Sequence, residues 1–136
     1  MHITLRANEK LYLNGAVLKT DRKVSIELLN DAVFLLEAHV IQERDAKTPL
    51  RQLYYIVQLM LMSPHDIAEN RAMFNQQRAA MLKVYDDRSI VDALQRVGTL
   101  VEKQRHFEAL KVIRAVLPVE DTVLNPFKPA LLAAAS

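Results

Sequence analysis

Between two short apolar runs, Leu11-Tyr12-Leu13 and Ala16-Val17-Leu18, stands the pair Asn14-Gly15. A type I′ turn needs positive φ at both central residues, and Asn-Gly tolerates it at both. The pair therefore predicts a tight β-hairpin. A two-residue turn also sets the register: Leu13 opposite Ala16, Tyr12 opposite Val17, Leu11 opposite Leu18 and Lys10 opposite Lys19. Side chains alternate between faces, so Leu11, Leu13, Ala16 and Leu18 form an apolar face expected to turn towards a core. Tyr12, Val17 and the two opposed lysines form the other face. Like charges opposed across strands repel, and an anion, most commonly a phosphate, would relieve the repulsion. Lysines on exposed strands also discourage edge-to-edge aggregation, which explains the pair without any ligand.

The hairpin belongs to a longer β-rich stretch. Ile3-Thr4-Leu5-Arg6 alternates, with a turn at Ala7-Asn8-Glu9. Asp21-Arg22 is a second turn, and Val24, Ile26 and Leu28 share one face of the next strand. Asn30-Asp31 is a third turn, and Val33 to Ile41 reads as a last strand. Residues 3–41 are thus expected to form one antiparallel sheet. After Gln42 the apolar period becomes helical. Thr48-Pro49 is an N-cap with proline at the first helical position, and Leu50, Leu53, Tyr54, Val57 and Leu61 follow on one face. Ser63 and Ser89 are expected to cap the next two helices, each with Asp three residues on. A last helix carries Phe107, Leu110, Ile113 and Leu117 and is expected to end at Pro118. The fold class is α+β: a small antiparallel sheet in a β subdomain at 1–45, a helical subdomain at 46–118, and a Pro/Ala-rich tail at 119–136.

Composition narrows the chemistry. The chain has 136 residues, 51% of them apolar, enough for one core and too apolar for disorder. It has no cysteine, which removes disulfides, thiolate nucleophiles and Cys-based zinc sites. Its two glycines, Gly15 and Gly98, cannot build a phosphate-cradling loop. His2, His39, His65 and His106 lack metal-ligand spacing, and Asp86-Asp87 reads as the start of a helix. No enzyme, metal or cofactor is expected. No signal peptide is visible, and the apolar run around Leu53 to Met62 is too short to span a bilayer, so the expectation is a cytoplasmic protein without membrane contact.

The net charge is only +2, yet basic residues cluster. Lys10, Tyr12 and Lys19 share the hairpin face, Lys23 joins them if the third strand keeps register, and Arg22 sits at the adjoining turn. Lysines neutralise phosphates and a tyrosine stacks a base at about 1–3 kcal/mol, a combination suited to single-stranded RNA. Arg51 adds a donor at a helix start, where anions are favoured, although Thr48, Pro49, Leu50 and Leu53 would cap and pack a helix whatever the function. Arg96, Lys103, Lys111 and Arg114 form a second basic stripe, read as a solvated helical face.

Two ordered blocks carry a family resemblance. Asn14-Gly15-Ala16-Val17-Leu18, Asp21-Arg22-Lys23, Leu28-Leu29-Asn30-Asp31 and Phe34-Leu35-Leu36-Glu37 make the first. Thr48-Pro49-Leu50-Arg51-Gln52-Leu53-Tyr54, followed by Gln58, makes the second. Together they resemble the FlbT family of flagellar regulators over about residues 3–115. The resemblance implies a post-transcriptional regulator acting at the 5′ untranslated leader of flagellin mRNA, by reducing translation or promoting decay. Some relatives activate instead. It also implies a partner, the small flagellar protein FlaF. The strand-rich N-terminus is loosely similar to the β RNA-binding regulators of the CsrA type. A second class of function stands beside RNA binding: an adaptor of flagellar assembly that binds FlaF or flagellin through its helical half and touches mRNA indirectly. Homo-oligomerisation is left open by the sequence.

Overall fold

The computed structural model describes residues 1–125. Five strands precede four helices: β1 His2–Leu5, β2 Lys10–Leu13, β3 Ala16–Lys19, β4 Val24–Glu27, β5 Phe34–Leu36, α1 Pro49–Met62, α2 Ile67–Val84, α3 Arg88–Glu102 and α4 His106–Leu124. The α+β class is as expected. The hairpin has the expected register, Lys10 opposite Lys19 through Leu13 opposite Ala16. Asn14 and Gly15 take φ of 49° and 85°, the positive values that such a turn requires. A Cβ added at position 15 would meet only ordinary contact, with the Met62 carbonyl oxygen at 3.9 Å. The cost of a β-branched side chain there begins with torsion, because φ is positive. Gly15→Val is expected to lower stability by about 1–3 kcal/mol, read by thermal melting; an unchanged melting temperature would contradict the turn geometry.

The single expected sheet is two. β1 pairs antiparallel with β4, while β2 lies between β3 and β5. The alternation of β4 explains the split. Val24 and Ile26 face the same side as Ile3 and Leu5, and they close a small apolar cluster with Leu11 and Phe34 of the other sheet. In the three-stranded sheet, β2 and β5 are therefore covered on both faces. Leu11 and Phe34 meet the β1–β4 pair, whereas Tyr12 and Leu35 pack on the helical core. The edge strand β3 lies outside both clusters, so Ala16 and Leu18 are exposed and the expected apolar face is buried only on the β2 side. The last strand is also shorter than expected. It stops at Leu36, and Glu37–His39 form a single 3-10 turn.

The helices bury Leu50, Leu53, Val57, Leu94, Val97, Leu110 and Ile113 in the main core. The amide of Arg51 donates to Thr48 Oγ1 at 3.2 Å, the expected cap of α1. Two other caps differ. Ser63 makes no capping bond, and the turn Pro64–Asp66 intervenes before α2. Asp87, not Ser89, caps α3: its Oδ1 accepts from the Ile90 amide at 3.2 Å, so Ser89 already lies in the first turn. On α3, Gly98 lets the Arg78 guanidinium cross close to the backbone, where its Nε donates to the Leu94 carbonyl at 2.6 Å.

Pro118 does not end α4, which continues to Leu124. An interior proline loses a backbone bond and costs on the order of 3 kcal/mol. Here packing of Val116, Leu117 and Val119 on the helical core, and a buried Glu120 anchored to α1, offset that cost. Residues 119–124 of the expected tail thus belong to α4, while Pro126, Pro129 and Ala133-Ala134-Ala135 lie outside the described residues.

Candidate nucleic-acid interface

One end of the β layer collects the basic residues. β1 ends at Leu5, β2 begins at Lys10, β3 ends at Lys19 and β4 begins at Val24, so the turns between β1 and β2 and between β3 and β4 lie side by side. They are tied together: the Asn8 amide donates to the Thr20 carbonyl at 2.7 Å, and Thr20 Oγ1 donates to the Arg6 carbonyl at 3.5 Å. Asn8 takes φ of 64° to make that turn. Lys10 and Lys19 face each other in the ladder. The β1–β4 register ends with Leu5 opposite Val24, and Arg6 and Lys23 follow immediately beyond that pair. Two pairs of opposed cations thus share one end of the molecule. All four are exposed, and among the described residues none makes an ion pair. Carboxylates temper the patch: Glu9 stands in the first turn, and Glu37 accepts from the Lys10 amide at 3.0 Å.

Beside the patch runs an open groove of about 670 Å³, with Arg6, Lys23, Thr4, Glu9, Leu36 and His39 on its walls. The His39 imidazole is held below its ordinary pKa, first by burial and then by Arg114 and Lys111 nearby. The ring therefore favours its neutral form, with a donor and an acceptor available to a base edge or a ribose hydroxyl.

Not every expected residue joins this surface. Lys10, Lys19 and Lys23 do, but Lys23 arrives through β4 pairing with β1 rather than through continuation of the hairpin sheet. Arg22 is exposed at the turn and pairs with its neighbour Asp21 at 3.2 Å, a contact between two solvated groups that holds neither tightly. Tyr12 is half-buried, because at its own position the face it shares with the lysines packs against the helical core, while Val17, Lys10 and Lys19 on the same face stay exposed. It is not offered for stacking.

Arg51 has a different task altogether. Its Nη1 and Nη2 donate to the two carboxylate oxygens of Asp121 at 2.7 and 3.0 Å, and Glu120 lies 3.8 Å away. The hydrogen bond to Asp121 is the main reason that its pKa is raised. The free helix start is filled from inside the protein. Glu120, fully buried, accepts from the Leu50 amide and from the Tyr85 hydroxyl, both at 2.8 Å. Burial, then the bond to Glu120, holds the Tyr85 hydroxyl far above its usual pKa. The rest of the Thr48–Gln58 block fastens the chain between sheet and helices. Gln58 Oε1 accepts from the Ile41 amide at 2.9 Å and its Nε2 donates to the Ile41 carbonyl at 2.8 Å, while Tyr54 donates to the His39 carbonyl and accepts from Arg114 Nη1 at 3.0 Å. That block is a fastener rather than an anion site.

Arg6 and His39 are the members that sequence reasoning passed over. The signal for Arg6 was its position one step past the last β1 residue, which becomes informative only once β1 is known to pair with β4. His39 carries no local signal, since its neighbours Lys111 and Arg114 come from a helix about seventy residues away.

Comparison with known proteins supplies the family context. The family described as "Flagellar protein FlbT" matches residues 1–124. A probable flagellum biosynthesis repressor protein FlbT 2 from Bradyrhizobium diazoefficiens is 52% identical over 124 residues, covering 91% of both chains. A probable flagellum biosynthesis repressor protein FlbT from Mesorhizobium japonicum is 47% identical, covering 92% of this chain and 85% of its own. Its counterpart from Brucella anthropi is 47% identical across 100% of this chain and 90% of its own. No solved structure matches the chain, and the likeness to CsrA-type regulators rests on sequence pattern alone.

Proposed function

The chain belongs to the FlbT family of flagellar proteins, and from that premise we propose that it is a post-transcriptional repressor of flagellin synthesis that binds the 5′ untranslated leader of flagellin mRNA. Bound there, it reduces translation or promotes decay of the message. The observation that carries this reading is the pair of opposed cation pairs, Lys10 with Lys19 and Arg6 beside Lys23, at one end of the β layer. Side chains of like charge placed face to face are disfavoured until an anion lies between them. A polyphosphate backbone supplies such anions at regular spacing, and Arg22 extends the patch along the turn. The neutral His39 in the adjoining groove offers hydrogen bonds that phosphates alone do not use. No carboxylate or histidine cluster able to hold a metal is found among the described residues, and the reading requires none. No described helix is long and apolar enough to cross a membrane.

The test is direct binding of the purified full chain to a flagellin leader RNA, titrated with salt. Single-strand binding through four cations is expected to give a slope of about −3 in log K against log salt concentration, since each neutralised phosphate contributes about −0.7. A second reading, an adaptor that binds FlaF or flagellin and acts on the message indirectly, is favoured by the exposure of Leu29 and Val33 at 84% and 45%. It predicts no RNA binding by the chain alone and recovery of binding when FlaF is added.

A further inference from the structure

We propose that the trough over Phe107 is a docking surface for an amphipathic helix of a partner protein, with acidic residues flanking its apolar stripe. Two adjoining grooves make the trough, of about 710 and 770 Å³, and they share Phe107 and Glu108. The first lies between α3 and α4, floored by Leu100, Phe107 and Val112 and rimmed by Arg96 and Lys111. The second continues past Phe107 to Phe34 and Leu61, where the loop after β4 holds Leu29 and Val33 out into solvent. The two grooves together offer adjoining apolar floors, and a helix laid in such a groove would fill them with anchors at i, i+3, i+4 and i+7.

Charge selects the occupant. Arg96 and Lys111 make no ion pair among the described residues, and the Lys111 ammonium sits 4.9 Å from the centre of the Phe107 ring. Glu108, the carboxylate on the same rim, is already taken by Arg105 at 2.8 Å. The α3–α4 rim therefore presents uncompensated positive charge beside an apolar floor, which complements acidic flanks. A nucleic-acid strand fits less well. The floor is mainly aliphatic, and its half-buried aromatic, Phe107, is covered by a lysine rather than open to a stacking base. The trough is separate from the Lys10–Lys19 patch, and its occupant does not depend on whether RNA binds there.

The experiment is selection of a displayed library of helical peptides, about 18 residues or five turns long, on the full chain. The expected winners carry apolar residues at helical spacing with Asp and Glu on the flanks. They lose about tenfold in affinity against the Arg96→Glu, Lys111→Glu double variant, and keep it against Lys10→Glu, Lys19→Glu. Leu29→Ser, at a position too exposed to affect folding, is expected to weaken the same peptides. Winners without acidic flanks, winners indifferent to the Arg96 and Lys111 reversal, or a failure to select any binder would overturn the proposal. Displacement of the peptides by leader RNA would give the trough to RNA and overturn it as well.

Discussion

Glu120→Ala is expected to lower the free energy of unfolding by about 2–4 kcal/mol, a large part of the stability of a domain this size. The carboxylate is fully buried and answers two buried donors at once, the Leu50 amide of α1 and the Tyr85 hydroxyl between α2 and α3. Alanine leaves both donors without an acceptor and opens space at the joint of three elements. Arg51 is 28% exposed and keeps Asp121, so its charge is not stranded, which holds the loss below that of a fully isolated buried ion. Chemical denaturation followed by circular dichroism measures it. Glu120→Gln retains an acceptor oxygen and is expected to lose roughly half as much. A loss for alanine below about 1 kcal/mol would show that the network does not form in solution. The residues of α4 beyond Pro118 are expected to loosen first in the alanine variant, because of their two ties to α1 only the more exposed one, Asp121 to Arg51, remains.

Reversing both opposed lysines, Lys10→Glu with Lys19→Glu, is expected to weaken leader-RNA binding about ten- to a hundredfold at low salt. Two lost phosphate contacts should also flatten the salt dependence by about 1.4 units of slope. Both side chains are exposed and neither makes an ion pair among the described residues, so the fold is expected to survive, with circular dichroism as the check. The comparison that gives the result its meaning is Arg96→Glu with Lys103→Glu on the helical face, where RNA binding should change little. A hairpin variant that binds RNA with the wild-type slope would move the interface elsewhere. Loss of binding in both variants alike would point to general electrostatics rather than a defined patch.

Local chemistry reached far in this chain. Asn14-Gly15 determined a turn, and with it a register that put Lys10 opposite Lys19, because a two-residue hairpin admits one pairing and positive φ admits few residues. Thr48-Pro49 determined a helix start for the same kind of reason: a hydroxyl three residues before a free amide, and a ring that has no amide to satisfy. The change from alternation to helical spacing placed the boundary between the halves. These features act within a few residues of their cause.

What tertiary structure decided are the places where distant groups compete for one residue. β4 could have extended the hairpin sheet, but pairing with β1 buries Val24 and Ile26 against Ile3 and Leu5, and so it carried Lys23 to Arg6 instead of Lys19. Tyr12 reads as an exposed aromatic until the helices cover its face. Arg51 reads as a free donor at a helix start until Glu120 and Asp121 arrive from seventy residues away. The same contact carries α4 through Pro118, against a local cost that by itself ends a helix. Pattern and propensity report what a segment prefers alone; which cation stays free, and which is consumed by the core, depends on burial gained only when the segments meet.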